Sequence, residues 1–174
     1  MKPNFAQRTW DSRKRDDPDY FYYSEAKFET HWPGQFSHFG LGADTEDMAT
    51  YKMNAFMSHA PDYIAAKNGG VPVLVEVQGT GRGGAEDGTV THKFKQKKLD
   101  ALGKWNSVAG EVTFWLWNDA DRTFVWTSYV SIRGLIARGM GQQGLFDGHR
   151  PYWSLPVETI VQHADTDRLD ALYG

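Results

Sequence analysis

The sequence predicts a single α/β domain whose β-sheet is covered by helices. Three observations carry this. The run Val71-Pro72-Val73-Leu74-Val75-Glu76-Val77-Gln78 is apolar, β-branched and strand-length, bounded by Gly69-Gly70 and Gly79. Two later runs, 111–117 and 123–130, are apolar on both faces, as strands central in a covered sheet must be. The stretch 20–32 reads as a helix stopped by Pro33-Gly34, and 91–106 has the periodicity of an amphipathic helix. With 174 residues, seven Trp, eight Tyr and ten Phe, the chain can fill one core.

The elements follow in order. Residues 1–19 are polar, with the mixed cluster Arg13-Lys14-Arg15-Asp16-Asp17, and are expected to form an arm; 20–174 is expected to be one domain. The helix of 20–32 stops at Pro33-Gly34, and its Glu25 and Glu29, four apart, share a face. A strand is expected within 55–60, leading into Pro61-Asp62, and 71–78 is the clearest strand of the chain. A glycine-rich loop, 79–89, leads to the helix of 91–106. Steps of about 100° place Phe94, Ala101, Leu102 and Trp105 on one face with Lys98 among them and Lys95 at the edge. Lys93, Lys97 and Lys104 fall on the opposite side. The strands 111–117 and 123–130 form a hairpin across Asn118-Asp119-Ala120-Asp121-Arg122. The tail holds a loop at 138–144 and a C-terminal helix near 156–172.

Composition excludes several classes. Nineteen Lys and Arg against 22 Asp and Glu give a net charge of −3, so a polyanionic partner would have to meet a local patch. The absence of cysteine removes disulfides and thiolate zinc sites. The N-terminus has no signal-peptide core and the apolar runs are too short to span a bilayer, so a cytoplasmic protein with no membrane partner is expected. The six histidines have neither an i, i+4 pair nor zinc spacing, and His59 alone is close in sequence to Asp62.

The most informative feature is Asp62, followed fourteen positions later by Glu76 inside the apolar run. A lone buried carboxylate costs several kcal/mol, about what several good hydrogen bonds return, so something should neutralise it. Two carboxylates from neighbouring strands can share one or two Mg²⁺ ions, which prefer oxygen ligands and keep open positions for water and phosphate.

Pro61-Asp62, then Glu76-Val77-Gln78 at the end of a strand, then a lysine-rich helix and a hairpin, resembles the PD-(D/E)XK, or restriction-endonuclease-like, nuclease superfamily, with phage-type and junction-resolving endonucleases the nearest in look. The resemblance covers about residues 20–130. It implies a mixed central β-sheet flanked by helices and a Mg²⁺- or Mn²⁺-dependent DNA endonuclease of recombination, repair or packaging, in a phage or bacterial setting. In a phage setting the host cytoplasm is its place. Asp62 and Glu76 would be metal ligands, with the Val77 carbonyl another and Glu25 or Glu29 adding a helix-borne acid. A homodimer would suit a substrate with two symmetric strands.

The chain departs from that pattern at Gln78, where the family's lysine belongs. An amide can orient a water but brings no charge. Lys98, or else Lys95, could supply it from the following helix, while Arg82, Lys93 and Lys97 could contact DNA phosphates. The alternative is a nuclease-fold protein that binds nucleic acid or a protein partner without cleavage. Gly79-Thr80-Gly81-Arg82-Gly83-Gly84 also matches a dinucleotide-binding turn, but no helix opens within its glycines, and Glu86 and Asp87 would repel a pyrophosphate.

Overall fold

The strand that carries Glu76 is the spine of the molecule, and the sheet grows outward from it on both sides. The computed structural model describes residues 18–38, 60–66, 70–80, 89–118 and 121–168. In chain order these form α1 (Pro18–His31), β1 (Phe36–His38), β2 (Tyr63–Ala65), β3 (Val73–Gly79), β4 (Thr91–Lys95), α2 (Gln96–Val108), β5 (Val112–Asn118), β6 (Thr123–Ser128), α3 (Tyr129–Ala137), β7 (Gln142–Phe146), β8 (Arg150–Pro156), α4 (Val157–His163) and β9 (Thr166–Arg168). The main sheet has the order β1-β2-β3-β5-β6-β9 and a smaller one the order β4-β8-β7. Within the main sheet β3 and β5 run parallel, from Leu74↔Val112 to Gly79↔Trp117, and the other pairs are antiparallel. The parallel pair needs a crossover, and β4 with α2 provides it. This is the mixed central sheet flanked by helices that the sequence led us to expect.

Strand alternation divides the core in two. Val75 and Val77 point to the side covered by α1, where Phe28 and Trp32 pack with Tyr63, Trp115, Trp117 and Phe124. Phe28 meets the edge of Trp115 at 5.7 Å and 81°, and Trp115 stacks on Trp117 at 6.0 Å and 9°, geometries that aromatic rings favour. Leu74 points to the other side, toward Leu99 and Leu102 of α2, Ile132 and Leu135 of α3, Ile160 of α4, and Phe94 and Leu155 of the small sheet. Each large side chain buried this fully contributes roughly 1.5–3 kcal/mol. The β5 run, buried along its whole length, fits its place between β3 and β6.

Several elements differ from their sequence-based outlines. The helix expected over 91–106 is a strand, Thr91–Lys95, followed by a helix that begins at Gln96. Residues 91–95 alternate in burial, with His92 and Phe94 inward and Lys93 and Lys95 outward, and pair with β8 from Thr91↔Pro156 to Lys95↔Tyr152. Lys95 is therefore a strand residue and Leu99 joins the buried face of α2. The second strand of the hairpin ends at Ser128, whose Oγ accepts the Ser131 N–H at 3.0 Å and caps α3. Most of the loop expected at 138–144 is the turn into β7, and the C-terminal helix ends at His163 before β9. Residues 55–59 and 81–88, with the expected strand, His59 and Arg82, lie outside the described residues. Among the described residues no helix is long and apolar enough to cross a membrane.

Candidate functional site

Asp62 directly precedes β2, and continuing the register in which Tyr63 faces Val75 sets Asp62 opposite Glu76. Its Oδ2 accepts the Val77 N–H at 2.8 Å, which fixes the carboxylate against the end of β3. Glu76 is buried, at 6 % exposure, on the same side of β3 as Leu74. The Lys98 ammonium reaches it from α2, with Nζ 2.8 Å from Oε1. Lys98 can do so because it lies four residues before Leu102 on the face that packs on the sheet.

The electrostatics of Glu76 are unusual. Burial first, and then the negative charge of Asp62, push its carboxyl up to about 8, and the charge and hydrogen bond of Lys98 offset this only in part. Its Oε2 is buried and accepts no hydrogen bond. Two facing carboxylates of which one is out of water need a proton or a cation between them. Hard, partly dehydrated oxygen donors held by a backbone N–H suit Mg²⁺ or Mn²⁺, which bind through one or two carboxylates and keep waters besides. The residues present therefore fit such an ion, and Asp62 and Glu76 would hold it. Among the described residues no three His, Asp or Glu side chains converge.

The other candidates are distributed around this pair. Gln78 follows on the same face of β3, about 6–7 Å along the strand, and is half-buried. Val77 turns its side chain to the aromatic side and gives its N–H to Asp62. Lys95, at the end of β4, has its pKa lowered by burial first and then by the charges of Arg150 and Lys98, with Glu76 opposing. Lys93 and Lys97 are exposed. Glu29 is not brought to the pair: α1 covers the opposite side of the sheet, and Glu29 Oε1 accepts the Tyr63 hydroxyl at 2.7 Å and lies 3.3 Å from His38 Nε2. Glu25, one turn earlier on α1, is half-buried, and its charge also bears on Tyr63. Ser24 beside it packs on Gly79, where a Cβ would meet its Oγ at 2.2 Å.

Two neighbours escaped the sequence reading. Tyr63 links Glu29 to the strand that carries Asp62, and its position next to Asp62 was the available signal. Arg150 comes within electrostatic reach of Lys95 from a strand more than fifty residues away, and no local pattern announces it.

No family model matches the chain, and no curated protein sequence matches it. Among solved structures it is similar to D212, a nuclease from a fusselovirus, with 14% identity, a TM-score of 0.48 and coverage of 99% of this chain and 92% of that one. It is also similar to Hjc, a Holliday junction resolvase of the archaeal hyperthermophile Archaeoglobus fulgidus, with 9% identity, a TM-score of 0.47 and coverage of 86% of this chain and 99% of that one.

Proposed function

We propose that the chain is a divalent-metal-dependent deoxyribonuclease of DNA recombination, repair or packaging, in a phage or bacterial setting. The observation that carries this is the pairing of Asp62 with a buried Glu76 whose Oε2 has no hydrogen-bond donor, with Lys98 alongside. When bound, Mg²⁺ or Mn²⁺ lowers the pKa of water and offsets charge on the phosphate.

The chain's own residues do the remainder. The Val77 N–H holds Asp62 in one orientation, so the carboxylate does not have to be ordered when an ion arrives. Lys98 brings a positive charge from the helix to the Glu76 carboxylate, and on this reading it stabilises negative charge that grows on the phosphate in the absence of a lysine at Gln78. Lys95, close to Lys98 and with a lowered pKa, adds to the same field. Gln78 can hold a water or a phosphate oxygen through its amide. The Val77 carbonyl is a further oxygen donor on this reading, whereas Glu25, on α1 with Glu29, stays on the Tyr63 side of the sheet. Lys93 and Lys97 contact backbone phosphates, as would Arg82.

A second reading is favoured by Gln78: the same surface binds nucleic acid without cutting it. Cleavage of supercoiled, linear and four-way-junction DNA in Mg²⁺, Mn²⁺ or EDTA, beside Asp62→Ala and Glu76→Ala, separates the two. Metal-dependent cutting that both variants lose is the expected result. Binding with no cutting of any DNA by the intact protein favours the second reading.

A further inference from the structure

The small sheet has one face in the core and one in solvent. His92, Phe94 and Leu155 fill the inner face. On the outer face the register sets Lys95 beside Tyr152 and Tyr152 beside Gly144, with Arg150 beside Phe146 and Lys93 one step along. Gly144 is what lets the Tyr152 ring lie across the sheet, since a Cβ there would sit 2.4 Å from its Cζ. Phe146 packs on Tyr152 with ring centroids 4.3 Å apart at 41°, and Lys93 Nζ lies 5.1 Å from the Tyr152 ring and 5.8 Å from that of Phe146. Arg150, 57 % exposed, pairs with Asp147 at the hairpin tip. The positive charges continue from Arg150 through Lys95 to Lys98, and so to Glu76.

We infer that this outer face binds a single-stranded segment of the DNA substrate, with bases on Tyr152 and Phe146 and phosphates on Lys93, Lys95 and Arg150. The inference rests on the nuclease reading for its connection to the acidic pair. Duplex DNA offers phosphates to such a face but hides its bases, which would leave the aromatic rings without a role. Partly exposed rings set among cations are what unstacked bases and their phosphates require. A second copy docking on the same face would bring three cations against three. The substrate is thereby a branched or partly opened DNA whose single strand leads to Asp62 and Glu76.

The test is fluorescence anisotropy in EDTA with a labelled oligothymidine and a blunt duplex of equal length. The proteins are the intact chain, Tyr152→Leu, Gly144→Ala, Lys93→Gln and Arg150→Gln. The intact chain should bind the single strand, and Tyr152→Leu and Gly144→Ala should weaken it by about tenfold or more with less effect on duplex. Lys93→Gln and Arg150→Gln, both at exposed positions where folding is not at stake, should each reduce the salt slope by about 0.7. Unchanged single-strand affinity and slope in these variants, or equal losses on duplex, overturns the proposal. So does a dimer in sedimentation that the same substitutions dissociate. Because binding is read without metal, single-strand binding in a protein that never cuts DNA refutes the nuclease reading and leaves this surface standing.

Discussion

Replacing Glu76 by glutamine should make the metal-free protein more stable at alkaline pH. An ordinary glutamate titrates near 4.5, whereas burial and the Asp62 charge raise this one to about 8. Between these values the folded chain holds a proton that the unfolded chain has released, so folding weakens as pH rises. The group costs nothing below about pH 4.5, and above pH 8 it costs its full share, about 5 kcal/mol at about 1.4 kcal/mol per pH unit. Glutamine has the same shape, no charge to bury, and an amide that can donate to Asp62. Urea titrations of the two proteins in EDTA, from pH 5 to pH 9, give the difference directly, and subtraction cancels the titrating groups that do not interact with Glu76, leaving Glu76 with its partners Asp62 and Lys98. Glu76→Gln should match the intact chain near pH 5 and exceed it by several kcal/mol at pH 9. Saturating Mg²⁺ should stabilise the intact chain alone, by about 2.7 kcal/mol at one hundred times its Kd. A difference that stays flat with pH would mean that Lys98 fully compensates an ionised Glu76, and the reasoning would fail.

Three further outcomes follow. Lys98→Met should reduce cleavage by about a hundredfold with metal binding retained, measured by single-turnover cleavage beside a metal titration. His92, buried with neither ring nitrogen hydrogen-bonded, has its pKa lowered to about 3 by burial; its contribution is present above pH 6.5 and lost as pH falls. His92→Phe should therefore gain about 2 kcal/mol over the intact chain at pH 5 and abolish that acid-side slope in urea titrations. Tyr63→Phe removes the hydrogen bond to Glu29 on the far side of the sheet, so it should cost about 1.5–3 kcal/mol of stability while cleavage changes less than about twofold. A large loss of cleavage there would place Glu29 in the site after all.

The sequence marked the parts whose signals are local. The 71–78 run and the 111–130 hairpin are apolar enough to be strands wherever they pack, and their glycines and turn residues bound them. Asp62 and Glu76 could be paired because a carboxylate inside such a run has to be neutralised. Strand β4 was hidden, because Phe94, Leu102 and Trp105 continue a helical period through Thr91-His92-Lys93-Phe94-Lys95 and the pairing that wins comes from β8, some sixty residues later. Helix α3 was missed because Val130 and Ile132 extend a β-branched strand pattern, although Ser128 is a good cap. The β7–β8 hairpin was not read although a local signal exists: Asp147-Gly148 is a mirror-image turn pair, and both residues have positive φ, 51° and 74°, with the His149 N–H closing on the Phe146 carbonyl at 3.1 Å. Lys98 was placed toward the sheet by helical phase, but its contact with Glu76 depends on how α2 sits against β3, which no periodicity contains.

The most direct test of the central claim is anomalous diffraction from crystals soaked in Mn²⁺ at pH 8. A peak within bonding distance of both Asp62 and Glu76, lost in Glu76→Gln, is the expected result. Ordered carboxylates facing each other with no peak between them, or manganese bound elsewhere, would contradict it.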